Sequence, residues 1–257
     1  MNIKEVKNDI ISSISMVDTN KEKLEIIKDC YKDQDLVILL MGPSFNNYSK
    51  EQYLDLLKNK VVFCVKTTFN VVQEICDFHF WNCCNLPIPK SDIGKIKRIF
   101  YPYENYRPVS VSSSNFDIDM RIGRNQITDL FFKIPDQPNN TVVKTNSYEN
   151  YLFDRSEDRP CGPGIFHETV IYMAIHTGVR SITTVGFDLC HKNGERHYTN
   201  ESLHIPGISP ESDYDTLLSG MESFYKWIDS IGIDFRICSD INPLVGKIPG
   251  VKLEEIG

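Results

Sequence analysis

Apolar positions follow two different periods along this chain, and the switches between them mark out its elements. Over residues 3–32 they recur at helical spacing: Ile10, Ile11, Ile14 and Met16, then Leu24, Ile26, Ile27 and Tyr31. The polar Asp18-Thr19-Asn20 between the two groups predicts a break and an N-cap separating two short helices. Asp35-Leu-Val-Ile-Leu-Leu-Met41 is instead a continuous apolar run, as expected of a strand buried on both faces. Gly42-Pro-Ser-Phe-Asn-Asn47 is a turn cluster, and Ser49 is placed to cap a helix over Lys50–Asn59. Val61–Val65 reads as a second strand, Thr68–Ile75 as a short helix, and Asp77–Trp81 as a third strand ending at Asn82.

Residues 86–160 are less regular. Lys95–Tyr101 and Val109–Ser113 have strand character, Thr128–Ile134 suits either strand or helix, and Pro135–Asn140 is a loop. A glycine-rich loop at Gly162–Gly164 then opens a helix that runs to about residue 177, closed by Gly178. A strand over 180–186 leads into Gly186-Phe-Asp188, followed by a polar segment, 190–212, long enough to suggest a lid. An amphipathic helix, Thr216–Ser230, and a strand, Asp234–Cys238, finish the pattern. Strands alternating with helices across short connections predict one α/β domain over 1–257, a doubly wound, mostly parallel sheet with an N-terminal helical segment. In such sheets ligands bind beyond the carboxyl ends of the strands. Gly42–Asn47, Lys66–Asn70, Asn82–Asn85 and the turn after Asp188 all fall there.

Composition narrows the partners. A net charge of −7 over 257 residues argues against broad nucleic-acid binding, which wants a basic surface. The start, Met1-Asn-Ile-Lys-Glu-Val-Lys7, lacks the apolar core of a signal peptide, and no run approaches transmembrane length. The eight cysteines form no C-x-x-C pair, which predicts reduced thiols and a cytoplasmic protein. Peripheral contact with a membrane and self-association are left open.

The chemical candidates sit at the turns. Gly42-Pro43-Ser44 could bring backbone and hydroxyl to a phosphate, or could be a tight turn with Ser44 as its cap. Neither a G-x-G-x-x-G fingerprint, a P-loop nor a G-x-S-x-G elbow is present. Arg155 and Arg159 precede the glycine loop, where a guanidinium could clamp a phosphate, with a surface ion pair as the alternative, favoured more for Arg155. His191, His197 and His204 lie in the lid segment as candidate bases or as solvated loop residues. His167-Glu168 does not continue as H-E-x-x-H, and Asp117-Ile-Asp119 and Asp213-Tyr-Asp215 follow no convincing strand, so no metal site is expected.

Together, Gly42-Pro43-Ser44, Phe80-Trp81-Asn82, the glycine-led helix 164–178, Val185-Gly-Phe-Asp188 and Asn193-Gly194…Tyr198 resemble the bacterial lipooligosaccharide sialyltransferases. The resemblance covers roughly residues 35–82 and 155–245 and extends to the related pterin-diphosphokinase-like proteins. It implies a Rossmann-like, metal-independent, inverting glycosyltransferase that needs no cofactor. Its donor would be a nucleotide-sugar, CMP-linked foremost, and its acceptor a glycan. By the same resemblance Gly42, Pro43, Ser44, Asn82 and Asp188 would meet the nucleotide, with Arg159, Gly162 and Gly164 beside its phosphate. Tyr198 matches the second of two tyrosines that donate to the departing phosphate; Cys190 stands at the first. The family's basic histidine has its nearest counterpart in His204, offset by four positions, or in His197. Lys66 replaces an asparagine and could meet a diphosphate, as in a UDP or GDP donor. A magnesium-dependent pterin-type diphosphokinase and a non-catalytic nucleotide- or glycan-binding module are the alternatives.

Overall fold

The computed structural model describes residues 2–82, 103, 105–114, 127–134, 141–160, 162, 164–189 and 210–256. Seven strands form one sheet: β1 (Asp35–Leu39), β2 (Val61–Val65), β3 (Phe78–Asn82), β4 (Val109–Ser114), β5 (Leu130–Lys133), β6 (Ser181–Val185) and β7 (Asp234–Cys238). Their spatial order is β5-β4-β3-β2-β1-β6-β7, and every neighbouring pair is parallel. The chain therefore builds outward from β1 in one direction and then returns to add β6 and β7 on its other side. That reversal makes a switch point between β1 and β6.

The apolar runs divide by strand alternation into two cores. Leu36, Ile38, Phe63, Phe78, Phe80, Ile182 and Phe235 face one side, where helices α1 (Ile3–Ile14), α2 (Asn20–Ile27), α5 (Ile171–His176) and α6 (Pro210–Ser230) supply Ile10, Ile27, Ile171 and Phe224. Val37, Leu39, Val62, Cys64 and Trp81 face the other, against Phe45, Phe69, Leu253 and the Tyr53 and Leu57 end of α3 (Lys50–Leu56). Each fully buried Phe or Leu contributes on the order of 1.5–3 kcal/mol, so the helical layers on both faces share in stabilising the sheet.

Local signals set the helix starts. Thr19 and Glu22 form a reciprocal capping box at α2, with Glu22 N donating to Thr19 Oγ1 at 3.2 Å. Ser49 and Gln52 do the same at α3. Thr128–Ile134 resolves to strand, as β5. Two expected helices differ. Thr68–Ile75 is a pair of 3₁₀ turns, Lys66–Asn70 and Gln73–Ile75, in a stretch whose β-branched Thr67, Thr68, Val71 and Val72 disfavour an α-helix. The central helix opens with a π turn, Phe166–Val170, before α5. All five residues of that turn are buried, so no simple apolar stripe marks it in the sequence. Helix α6 begins at Pro210, six residues before the expected Thr216, with proline in the first position where its missing N–H costs nothing. A short α4 (Thr141–Thr145) packs on it. The suggested strand Lys95–Tyr101 and loop Pro135–Asn140 lie outside the described residues.

Candidate functional site

The carboxyl edge of the sheet at the β1/β6 switch point is the place to look for a ligand. There the two strands remain paired beyond their ends: Leu40 N donates to Val185 O at 2.7 Å and Gly42 N to Gly186 O at 2.8 Å. Both glycines are required by this closeness. A Cβ on Gly42 would stand 2.5 Å from Gly186 O and from Asp188 Oδ2. Gly186 has φ +73°, and a Cβ on it would lie 2.3 Å from Leu40 O.

Asp188 explains the turn that follows. Its buried carboxylate accepts from Ser44 N at 2.7 Å, from Ser44 Oγ at 2.5 Å and from Ser239 Oγ at 2.6 Å. It thus ties together the turns after β1, β6 and β7. Both donors of Ser44, expected to face a phosphate, serve Asp188 in this structure. Gly42 likewise admits the β6 turn, and Pro43 starts the 3₁₀ turn Pro43–Asn47. Ser239 and Asn242, whose amide donates to Phe187 O and accepts from Leu244 N, complete the pin. Sequence reasoning missed them, although a polar cluster directly after a final strand was a usable signal.

The adjoining β2/β3 end is built differently. Lys66 follows β2 with φ +53°, a left-handed conformation that costs an ordinary side chain about 1 kcal/mol or more. Its carbonyl receives a hydrogen bond from His79 Nε2 at 2.9 Å, and His79 Nδ1 lies 2.5 Å from Tyr103 Oη. Burial pushes the His79 imidazole down to about 3, although the bond to Lys66 works against this, so the ring is neutral. Asn82 ends β3 in register with Ser113, and the Ser112 and Ser113 hydroxyls beside it are buried without hydrogen-bond partners.

The glycine loop before α5 departs most from expectation. Arg159 is fully buried and is no exposed phosphate clamp. Its guanidinium lies over the Phe153 ring at 4.0 Å and donates to Ser156 O at 2.6 Å and Glu157 O at 3.2 Å. Burial lowers it only to about 10, so it keeps its charge at neutral pH. Gly162 is packed against His167, 3.1 Å from where its Cβ would be, whereas Gly164 faces open space. His167 is buried, its Nε2 has no hydrogen-bond partner, and burial pushes it down to about 3. Glu168, also buried, places a carboxyl in the first turn, where an incoming anion was expected.

His204, His197, Tyr198 and Cys190 lie outside the described residues, as does the suggested lid apart from 210–212. Among the described residues no three His, Cys, Asp or Glu side chains gather as a metal-ligand set, and no helix is long and apolar enough to cross a membrane. At the amino edge of the sheet a cavity of about 340 Å³ is lined by Asp35, Arg180, Ser181, Asp234 and Arg236. Both of its arginines are paired with its aspartates, and Glu255 adds a further carboxylate to the lining. Arg180 holds Asp35 through Nε at 2.8 Å and Nη2 at 3.0 Å, keeping that carboxyl well below its usual range, and Arg236 pairs with Asp234.

Among solved structures, the sialyltransferase CstII from Campylobacter jejuni, in complex with a substrate analogue, cytidine-5′-monophosphate, is similar at 13% identity and a TM-score of 0.49, over 87% of each chain. The MAf glycosyltransferase from Magnetospirillum magneticum AMB-1 is similar at 13% identity and a TM-score of 0.44. That match covers 87% of this chain but only 34% of the Magnetospirillum one. No family model matches the chain, and no curated protein matches it. The α/β class rests on the sheet itself: seven parallel strands with helices packed on it.

Proposed function

We propose that this protein is a glycosyltransferase of sialyltransferase-like type. It would move a sugar from a nucleotide-sugar donor, CMP-linked foremost, to a glycan acceptor with inversion and without a metal. One observation carries the reading: two glycine-dependent turns, Gly42-Pro43-Ser44 and Gly186-Phe187-Asp188, converge at the switch point of a parallel sheet. That is where nucleotides bind in such folds, and the two turns belong to the motifs that resemble the sialyltransferases.

In this reading the Asp188 pin is the rigid floor, and Lys66 and Asn82 are the edge groups nearest the nucleotide. His204 or His197 takes the proton from an acceptor hydroxyl as its oxygen attacks the anomeric carbon. The bond from that carbon to the phosphate oxygen breaks, and the electron pair leaves on the phosphate, which Tyr198 stabilises by donation. Gly162 and Gly164 shape the loop, with Arg159 beneath it as a support rather than a clamp. The site would be cytoplasmic.

A second reading draws on Lys66, since a cation after β2 suits a diphosphate. It admits a UDP or GDP donor or a magnesium-dependent pterin-type diphosphokinase. Nucleotide release from CMP-sialic acid, UDP-sugars and GDP-sugars, and diphosphate transfer from ATP to a pterin, each followed with and without EDTA, test all three. The expected result is release that survives EDTA and is lost in His204→Ala or His197→Ala. ATP-dependent diphosphate transfer abolished by EDTA would establish the kinase instead. Binding without any turnover would leave a non-catalytic module.

A further inference from the structure

The chain of polar groups behind Lys66 runs through the layer of the sheet and has one consistent direction. His79 is fully buried in β3, stacked on Phe69 with ring centroids 4.6 Å apart. Its Nε2 faces the Lys66 carbonyl at 2.9 Å, and a carbonyl can only accept, so Nε2 carries the proton. In a neutral ring Nδ1 is then an acceptor, and the Tyr103 hydroxyl at 2.5 Å donates to it. The Ser110 hydroxyl, 3.1 Å from Tyr103 Oη, donates onward to that oxygen and itself accepts from Trp81 Nε1 at 2.9 Å. Ser110 is anchored in turn: its N–H donates at 2.7 Å to Asp129, which Arg107 grips with both nitrogens.

Such a relay is unusual for a strand position that an apolar residue would fill. Burying an imidazole is costly, and the cost is met only because each hydrogen-bonding atom named has a partner. What stands at the end of the relay is the backbone of a residue held left-handed without being glycine, asparagine or aspartate. Among the described residues only Lys66 and Leu189 share that property, and both follow strands at the carboxyl edge. Strain of this kind persists where the surroundings over-determine it.

We propose that His79 is a positioning residue that fixes the Lys66 backbone from within the sheet and thereby sets where the Lys66 cation meets the phosphate of a bound nucleotide. This rests on the nucleotide reading above. The Lys66 carbonyl fixes the His79 tautomer, Tyr103 satisfies its Nδ1, and Trp81 and Ser110 orient Tyr103. Phenylalanine in place of His79 would keep the stack on Phe69 and lose the bond to Lys66.

Titration calorimetry with CMP and UDP as probes, on the native protein, Lys66→Ala, His79→Phe, the double variant and Tyr103→Phe, tests it. Lys66→Ala is expected to weaken binding about tenfold for one lost charge-assisted contact. His79→Phe is expected to do nearly the same, and the double variant no worse than either. His79→Gln, whose amide can donate to the Lys66 carbonyl, should recover part of the loss. Additive losses, or native-like binding by His79→Phe or by Lys66→Ala, would overturn the inference while leaving the nucleotide reading intact. If His79→Phe does not fold, Tyr103→Phe decides, with a loss of a few fold expected and native binding contradicting. If the native protein binds neither probe, the nucleotide reading falls and the inference with it.

Discussion

Two seams lie side by side on the carboxyl edge of this sheet, and they are held by opposite means. At β1/β6 the backbone is closed by glycines, and one carboxylate, Asp188, collects donors from the turns after β1 and β7. At β2/β3 no glycine is used. A lysine is kept in a strained conformation, and a buried neutral histidine holds its carbonyl. The first arrangement uses glycines at its points of closest approach, with Leu189 left-handed just beyond Asp188, and consumes its polar groups internally. The second accepts strain and sets a charged side chain at the edge. The proposed nucleotide site would join the two: a turn held rigid by Asp188 beside a lysine whose backbone is held left-handed.

The largest effect is expected from breaking the floor. Asp188→Ala strands the two buried donors of Ser44, removes the acceptor of half-buried Ser239 and should cost about 3–5 kcal/mol in urea unfolding. A cost below about 1 kcal/mol would mean that the three turns hold without it. Gly42→Ala tests the same seam by crowding. Its methyl would press on Asp188 Oδ2 and Gly186 O, and a loss of about 2–3 kcal/mol is expected by the same method.

How far these seams could be read in advance differs for physical reasons. The strands were legible because a parallel sheet covered on both faces demands continuous apolar runs, as in Leu36–Met41 and Val61–Val65. The helix starts were legible where Ser49 and Thr19 cap locally. Asp188 was not legible as a pin. A carboxylate after a glycine turn looks alike whether it faces a ligand or a serine 144 residues earlier in the chain. Arg159 misled for a related reason: its partners are aromatic faces and carbonyls, which leave no charge pattern. His79 falls within the expected strand Asp77–Trp81, but its role depends on Tyr103, 24 residues further on, in a stretch without clear periodicity.

Acid should separate the buried groups. His79 and His167, pushed down to about 3, stay neutral in the folded chain while the unfolded chain protonates them below about 6.5. Stability from these two groups is therefore lost as pH falls. Asp77 works in the other direction: burial raises it to about 7, so the folded chain holds a proton that the unfolded chain has released. Its contribution is present at low pH and lost as pH rises through about 7. Between about pH 4 and 6 the three together leave the unfolded chain binding roughly one more proton, so stability rises with pH by on the order of 1 kcal/mol per pH unit. Asp77→Asn should steepen that slope to about twice its value in unfolding curves at pH 4.5 and 5.5. An unchanged slope would mean that Asp77 is ionised in the fold.

The smallest effect sharpens the contrast between the seams. Lys66→Gly relieves a left-handed lysine at the expense of added freedom in the unfolded chain, so stability should stay level or rise by about 0.5 kcal/mol. Nucleotide binding should nevertheless fall about tenfold through loss of the cation. A variant that is destabilised and binds normally would reverse the roles assigned to Lys66.

The most direct test maps where a nucleotide sits. In amide spectra of the ¹⁵N-labelled protein titrated with CMP and UDP, the account predicts shifts concentrated on Met41–Phe45, Lys66–Thr68 and Gly186–Leu189, at the carboxyl edge. Shifts confined to the opposite edge, around Asp35, Arg180 and Arg236, or no shifts at millimolar nucleotide, would contradict it.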